Sequence, residues 1–145
     1  PTPHDALEPC GYNIYNNGSK ISIATDLGHI DDTLLDNFKN SSLLMLESNY
    51  EPNILKVSSY PYQLKTRISS KNGHLSNGEA GETISKLAEF GLKNVLLIHL
   101  SKENNVPEIA YETVLEKLKN NNQSLENINL NIAPRDNPSK IFNIL

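Results

Sequence analysis

Sulfur is nearly absent from this chain, and so are long apolar runs. The single cysteine, Cys10, excludes an internal disulfide framework and any cysteine-rich zinc knuckle. A reducing, cytoplasmic compartment fits that usage. No apolar run is long enough to span a bilayer and no signal peptide is visible, so no membrane role is expected. Excess positive charge is also missing: 13 Lys and Arg stand against 17 Asp and Glu, a formal net charge of -4. The surface as a whole therefore does not advertise nucleic-acid binding, although bound dications or a local basic strip can supply that attraction. There is no internal repeat and no initiating methionine. Pro1-Thr-Pro-His4-Asp5 opens inside what reads as functional sequence, and the expectation is a piece of a longer chain.

What remains suits one domain: 145 residues, of which 37% are hydrophobic, are enough for a modest core. Gly11–Tyr15 and Lys20–Ala24 flank Asn16-Asn-Gly18, a strong hairpin signal. Helical spacing of Leu34, Leu35 and Phe38 predicts a helix over Asp31–Lys39. Leu43–Glu47 and Val95–Leu100 read as short buried strands. Glu51–Ser70 reads as one or two helices broken near Tyr60-Pro61. Ser76–Phe90 predicts a helix capped by Ser76 or Asn77 and stopped by Gly91. Pro107–Leu118 predicts a long amphipathic helix, ended by Asn120–Gln123, and Ile128–Ile132 a final edge strand. Helices alternating with strands indicate a layered α/β unit.

Three of the apolar runs end on a group that can hold a metal or a proton: Asp26, Glu47 and His99. Side chains at the ends of neighbouring strands converge on one crevice, where open α/β sheets bind ligands. Such a set suggests a divalent-metal hydrolytic centre. Each residue has an alternative. His99 also fits a core histidine bonded to backbone, and Asp26 a turn-capping carboxylate before Gly28. His4, near the amino terminus, fits a metal ligand or a surface residue; His29 fits a proton relay, a group hydrogen-bonded behind a ligand, or an exposed residue, the last two being favoured. Glu47 is costly to bury unless paired. Paired with His74, it would fix the imidazole tautomer and let it donate a proton to a leaving oxygen; apart, Glu47 would cap a helix and His74 would sit on the surface. Between Pro52 and Gly73 every charged residue is basic. Lys56, Lys65, Arg67 and Lys71, interleaved with Tyr60 and Tyr62, fit either a phosphate-backbone contact or a solvated helix face.

Five stretches carry a resemblance: Pro3-His-Asp-Ala6 with Glu8-Pro9 and Gly11-Tyr12, Ala24-Thr-Asp-Leu-Gly28, Leu46-Glu-Ser-Asn49, Gly73-His-Leu-Ser-Asn77 and His99-Leu-Ser-Lys-Glu-Asn-Asn105. In this order they resemble the YycJ/WalJ-type group of metallo-β-lactamase-fold hydrolases. The resemblance implies the carboxyl-terminal half of an αββα sandwich, one mixed sheet with helices on one side, spanning residues 1–145. It implies that His4, Asp26 and His99 are metal ligands, with Asp26 bridging two divalent ions, Zn or Mn. It also implies that Glu47 and His74 protonate the leaving group. Lys65, Arg67 and Lys71 of the basic strip, with Asn49, are expected near the substrate. Two departures stand out. The signature His-x-His-x-Asp-His loop is absent with the amino-terminal half, so the stretch alone is expected to be inactive. Tyr50 follows Asn49 where the family usually has a histidine.

The expected function of the whole protein is a dinuclear metal-dependent phosphodiesterase, a DNA exonuclease. Two rivals are a hydrolase of a small ester or phosphodiester, and a silent half-domain that self-associates through its exposed sheet.

Overall fold

Alternating apolar residues place the core before any contact is considered. In the computed structural model, which describes residues 1–121, 123 and 127–144, ten elements follow one another. Strand β1 (Tyr12–Asn16) and strand β2 (Ser19–Ala24) form the expected hairpin. Its turn places Asn17 and Gly18 at φ of 46° and 84°, the left-handed conformation that Asn-Gly adopts at low cost. Helix α1 (Asp32–Phe38) starts on Asp31, whose side chain accepts the Leu34 N–H at 2.7 Å. Then come β3 (Leu43–Glu47), α2 (Pro52–Val57), α3 (Tyr62–Ile68) and α4 (Asn77–Ala88). Ser76 and Glu79 close a reciprocal capping box on α4. Strand β4 (Asn94–Ile98), helix α5 (Pro107–Asn120) and strand β5 (Asn129–Ile132) complete the chain. The expected break over Asn120–Gln123 includes residue 122, which lies outside the described residues.

The sheet runs β1-β2-β3-β4-β5, with β1 antiparallel and the rest parallel. This is the one mixed sheet expected. Ala24, Leu44, Leu46, Val95, Leu97 and Leu130 point to one face, where they meet Ile84 and Leu87 of α4 and Val114 and Leu118 of α5. The register puts Ile21, Ile23, Met45 and Leu96 on the opposite face. Helices α2 and α3 contribute to a smaller cluster around Tyr50, Leu55 and Ile68. Burial pushes the Tyr50 hydroxyl up to about 12. Among the described residues, no helix is long and apolar enough to cross a membrane.

Three parallel strands ending side by side bring the loops after β2, β3 and β4 to one rim. That is the reason the site can exist.

Candidate metal centre

Glu47, the last residue of β3, forms the floor of the site and is completely buried. A carboxylate taken out of water must be fully partnered. Its Oε1 accepts from His74 Nδ1 and from His99 Nδ1, each at 2.7 Å. Its Oε2 accepts the backbone N–H of Leu27 at 3.1 Å and of Leu75 at 3.5 Å. Burial pushes this carboxyl up, but the bonds from His74 and His99 outweigh it, and Glu47 stays below its usual range. An ionised carboxylate only accepts, so both imidazoles carry their proton on Nδ1 when neutral and leave Nε2 with its lone pair. His99 is correspondingly raised, chiefly by its bond to Glu47 and against its own burial.

The walls come from backbone turns that local sequence permits. Asp26 and His99 both adopt the left-handed conformation, at φ of 56° and 59°, which swings them out of their strands. Asn49 Nδ2 holds the His99 carbonyl at 2.8 Å, and the Ser101 N–H returns to the Asn49 carbonyl at 2.8 Å. His4 arrives from the amino-terminal segment. That segment is knitted down by Gly28 N–H to the Pro3 carbonyl, Asp5 N–H to the Asn72 carbonyl, and a two-pronged ion pair between Asp5 and Arg67. His4 Nδ1 donates to the Gly73 carbonyl at 2.8 Å, which again leaves Nε2 open.

Around the rim, Asp26 Oδ1 lies 3.7 Å from His4 Nε2, 3.8 Å from His74 Nδ1 and 3.9 Å from His99 Nε2. All three separations exceed a hydrogen bond. Ligating atoms of Asp26, Glu47, His74 and His99 lie within 4.8 Å of one another. Of these, Glu47 is spent on four N–H groups, so it orients the imidazoles more than it offers itself as a ligand. The Nε2 atoms of His4 and His99 beside the Asp26 carboxylate, each of these two imidazoles fixed through its far nitrogen, fit a divalent cation of the zinc or manganese kind.

His4, Asp26, Glu47, His74 and His99 thus meet in one place. Asn49 lines the same cleft, as does Arg67. The rest of the basic strip is elsewhere. Lys65 spends its amine on the Lys56 and Ser58 carbonyls at the end of α2, at 2.8 and 2.6 Å. Neither Lys65 nor Lys71 is among the cleft-lining residues. His29 bonds the Lys71 carbonyl at 2.9 Å, outside the cluster. Sequence reasoning paired Glu47 with His74 and did not foresee that the same oxygen holds His99. It also passed over Lys102 and Arg135, which reach the cleft. A basic residue three positions after His99, inside the His99–Asn105 stretch, was the available signal for Lys102; nothing comparable flagged Arg135.

A pH dependence follows from the two shifts. Glu47, held below its usual 4.5, contributes stability that is complete above that pH and is lost as pH falls through its folded value. His99, raised above its usual 6.5, contributes stability that is complete below that pH and is lost as pH rises through its folded value. The urea midpoint of the metal-free protein, compared with Glu47→Gln, should show its largest difference between pH 4.5 and 6.5. A difference that stays flat across pH 3 to 9 would contradict the assignment, on a span of about two units either side.

No protein-family model matches the chain. It is 34% identical over 116 residues to the exodeoxyribonuclease YycJ of Bacillus anthracis, covering 80% of this chain and 44% of that protein. It is 35% identical over 115 residues to the exodeoxyribonuclease WalJ of Streptococcus pneumoniae, covering 79% of this chain and 43% of that one. Among solved structures, the metallo-β-lactamase-fold protein YhfI of Bacillus subtilis superposes with a TM-score of 0.62 at 20% identity. That match covers 91% of this chain and 44% of YhfI. The chain therefore spans less than half the length of the relatives it matches.

Proposed function

We propose that this chain, which has the metallo-β-lactamase fold and is related by sequence to the YycJ/WalJ exodeoxyribonucleases, forms one wall of the catalytic cleft of a metal-dependent DNA nuclease. The observation that carries the reading is a buried carboxylate holding two imidazoles by the same oxygen, with a third imidazole and Asp26 closing the ring. Residues 1–145 correspond in this reading to the carboxyl-terminal half of the domain. Coverage of 44 and 43% of the YycJ and WalJ relatives is in keeping with half a domain. The other half would bring the remaining ligands and a second sheet, packed on the face of Ile21, Ile23 and Met45.

His4, Asp26 and His99 would hold the metal. Bound divalent cations supply Lewis acidity and charge neutralisation at a phosphodiester. The rest falls to the protein. Glu47 accepts the His74 Nδ1 proton and favours the imidazolium, so that His74, once protonated on Nε2 as well, would pass that proton to the departing oxygen and return to the neutral ring. Glu47 also fixes the ring plane of His99, and Asn49 fixes its carbonyl. Arg67, clamped to Asp5, lines the cleft and places positive charge where a phosphate backbone would approach.

The test uses the longer protein with Mn²⁺ or Zn²⁺ on labelled single-stranded oligonucleotides. Asp26→Ala should lower cleavage by more than about 100-fold, because groups that merely orient a ligand already account for about 10–100-fold. Unchanged cleavage would remove Asp26 from the reaction.

A further inference from the structure

Beside the imidazole cluster lies an opening that the chemistry above does not use. A cavity of about 570 Å³ adjoins the cleft over Asp26, and the two share His99, Leu100, Ser101, Lys102 and Arg135. They are continuous along the loop that follows β4. The second opening sits between Pro107, the first residue of α5, and the segment Ile132–Arg135. Its volume lies within the range of about 300–1,000 Å³ typical of small-ligand sites.

The two sides of this opening differ in chemistry. Pro107, Ile132 and Pro134 supply an aliphatic wall. On the rim stand two cations, Lys102 and Arg135. Arg135 Nη2 donates to the Leu100 carbonyl at 2.7 Å, which anchors the guanidinium next to His99 and leaves its other N–H groups to a ligand. Among the described residues, neither Lys102 nor Arg135 has a carboxylate within 4.0 Å, although the chain is acidic overall. Ser101 Oγ accepts from Asn104 N at 3.1 Å and Nδ2 at 3.4 Å, and its own proton goes to no acceptor among the described residues. Three donors of positive or polar character, facing a greasy wall, describe a receptor for a group that is anionic at one end and flat and apolar at the other.

We propose that this groove is the subsite for the nucleotide adjoining the phosphodiester held over Asp26. Arg135, Lys102 and Ser101 take its phosphate oxygens, and the Pro107–Ile132–Pro134 wall takes the face of its base. The identity of the ligand rests on the nuclease reading; the existence of the subsite does not. Because the wall is aliphatic and offers no base-edge donors, it accepts any base. Because a base must leave its stack to enter the slot, it selects single strands or frayed ends over intact duplex.

Titration of the ¹⁵N-labelled protein with the dinucleotide pTpT tests the subsite directly, with thymidine and inorganic phosphate as comparison ligands. Amide shifts should appear at residues 100–102, 132, 133 and 135, and pTpT should bind about tenfold tighter than inorganic phosphate, as expected when burial of a base face on an apolar wall adds to a charged contact. Arg135→Gln and Lys102→Gln should each weaken pTpT about tenfold and each reduce the slope of log affinity against log salt by about 0.7, one phosphate contact on a single strand. Arg135→Lys should recover part of the loss. Unchanged affinity in both glutamine variants, or shifts confined to other surfaces, would overturn the proposal. Equal binding of phosphate and pTpT would overturn the role of the aliphatic wall. No metal-dependent cleavage of oligonucleotides by the unmutated longer protein, with pTpT still occupying the groove, would sink the nuclease assignment alone; cleavage abolished by Asp26→Ala with no pTpT in the groove would sink the subsite alone.

Discussion

Glu47→Gln is expected to destabilise the metal-free protein by about 3–5 kcal/mol, the range found when one partner of a buried ionic network is removed. The carboxylate meets four N–H groups: two imidazole Nδ1 atoms on Oε1, and the Leu27 and Leu75 amides on Oε2. A glutamine keeps the shape but can accept on one side only. Its NH₂ must then face donors, either the two imidazoles or the two amides, and an unpaired buried donor is expensive. Urea unfolding at neutral pH measures the loss, and an unchanged denaturant slope would place it in the folded state. Affinity for Zn²⁺ should fall by about 10–100-fold in the same variant, because both imidazoles lose the group that sets their tautomer and orientation. A stability change below about 1 kcal/mol would show that the network is not formed in solution, since a typical single hydrogen bond contributes that much.

Gly73→Ala should be nearly as damaging, for a different reason. A methyl on Gly73 would collide with the backbone carbonyls of Arg67 and Ile68, rigid groups at the end of α3. The loop must move, and this loop carries His74 and anchors His4. The Gly73 carbonyl receives His4 Nδ1, and the His74 N–H is bonded to the Ile68 carbonyl at 2.9 Å. Overpacking of this kind typically costs about 1–3 kcal/mol. The functional loss should be larger than the stability loss suggests, about 100-fold in cleavage by the longer protein, because displacements near 1 Å misalign reacting groups by that factor. Gly91→Ala is the control. Gly91 has φ of 84° with nothing within 4 Å of the added methyl, so it should lose about 1 kcal/mol to backbone strain and keep full cleavage. Equal activity in the two variants would mean that the 73–74 turn does not position the site.

Much of the architecture was legible because it depends on near neighbours. Leu43–Glu47 is a strand with the limits its apolar run suggests, and Asn16-Asn-Gly18 makes the turn its side chains favour. Ser76 caps α4 through Glu79, three residues on, and Gly91 follows its end. The break at Tyr60-Pro61 separates α2 from α3, since a residue before proline avoids helical conformation. The strand ends were legible too: Asp26, Glu47 and His99 do meet at one rim, as parallel neighbours must.

Other features could not be read, since they depend on which side chain reaches a group first in space. Lys65 and Arg67 look alike in a basic strip. One closes the carboxyl end of α2 by bonding its carbonyls, and the other clamps Asp5, 62 residues away, at the mouth of the cleft. Lys102 and Arg135 are remote in sequence and adjoin one groove only because β5 lies beside β4.

By itself, then, the sequence determined the elements, their caps and the carboxyl-end placement of Asp26, Glu47 and His99, because these follow from backbone conformation and apolar period over a few residues. Only the tertiary structure decided how those groups are wired. Glu47 oxygen Oε1 binds histidines 27 and 52 positions away, and that choice is made by a buried carboxylate that must find every available N–H once water is gone.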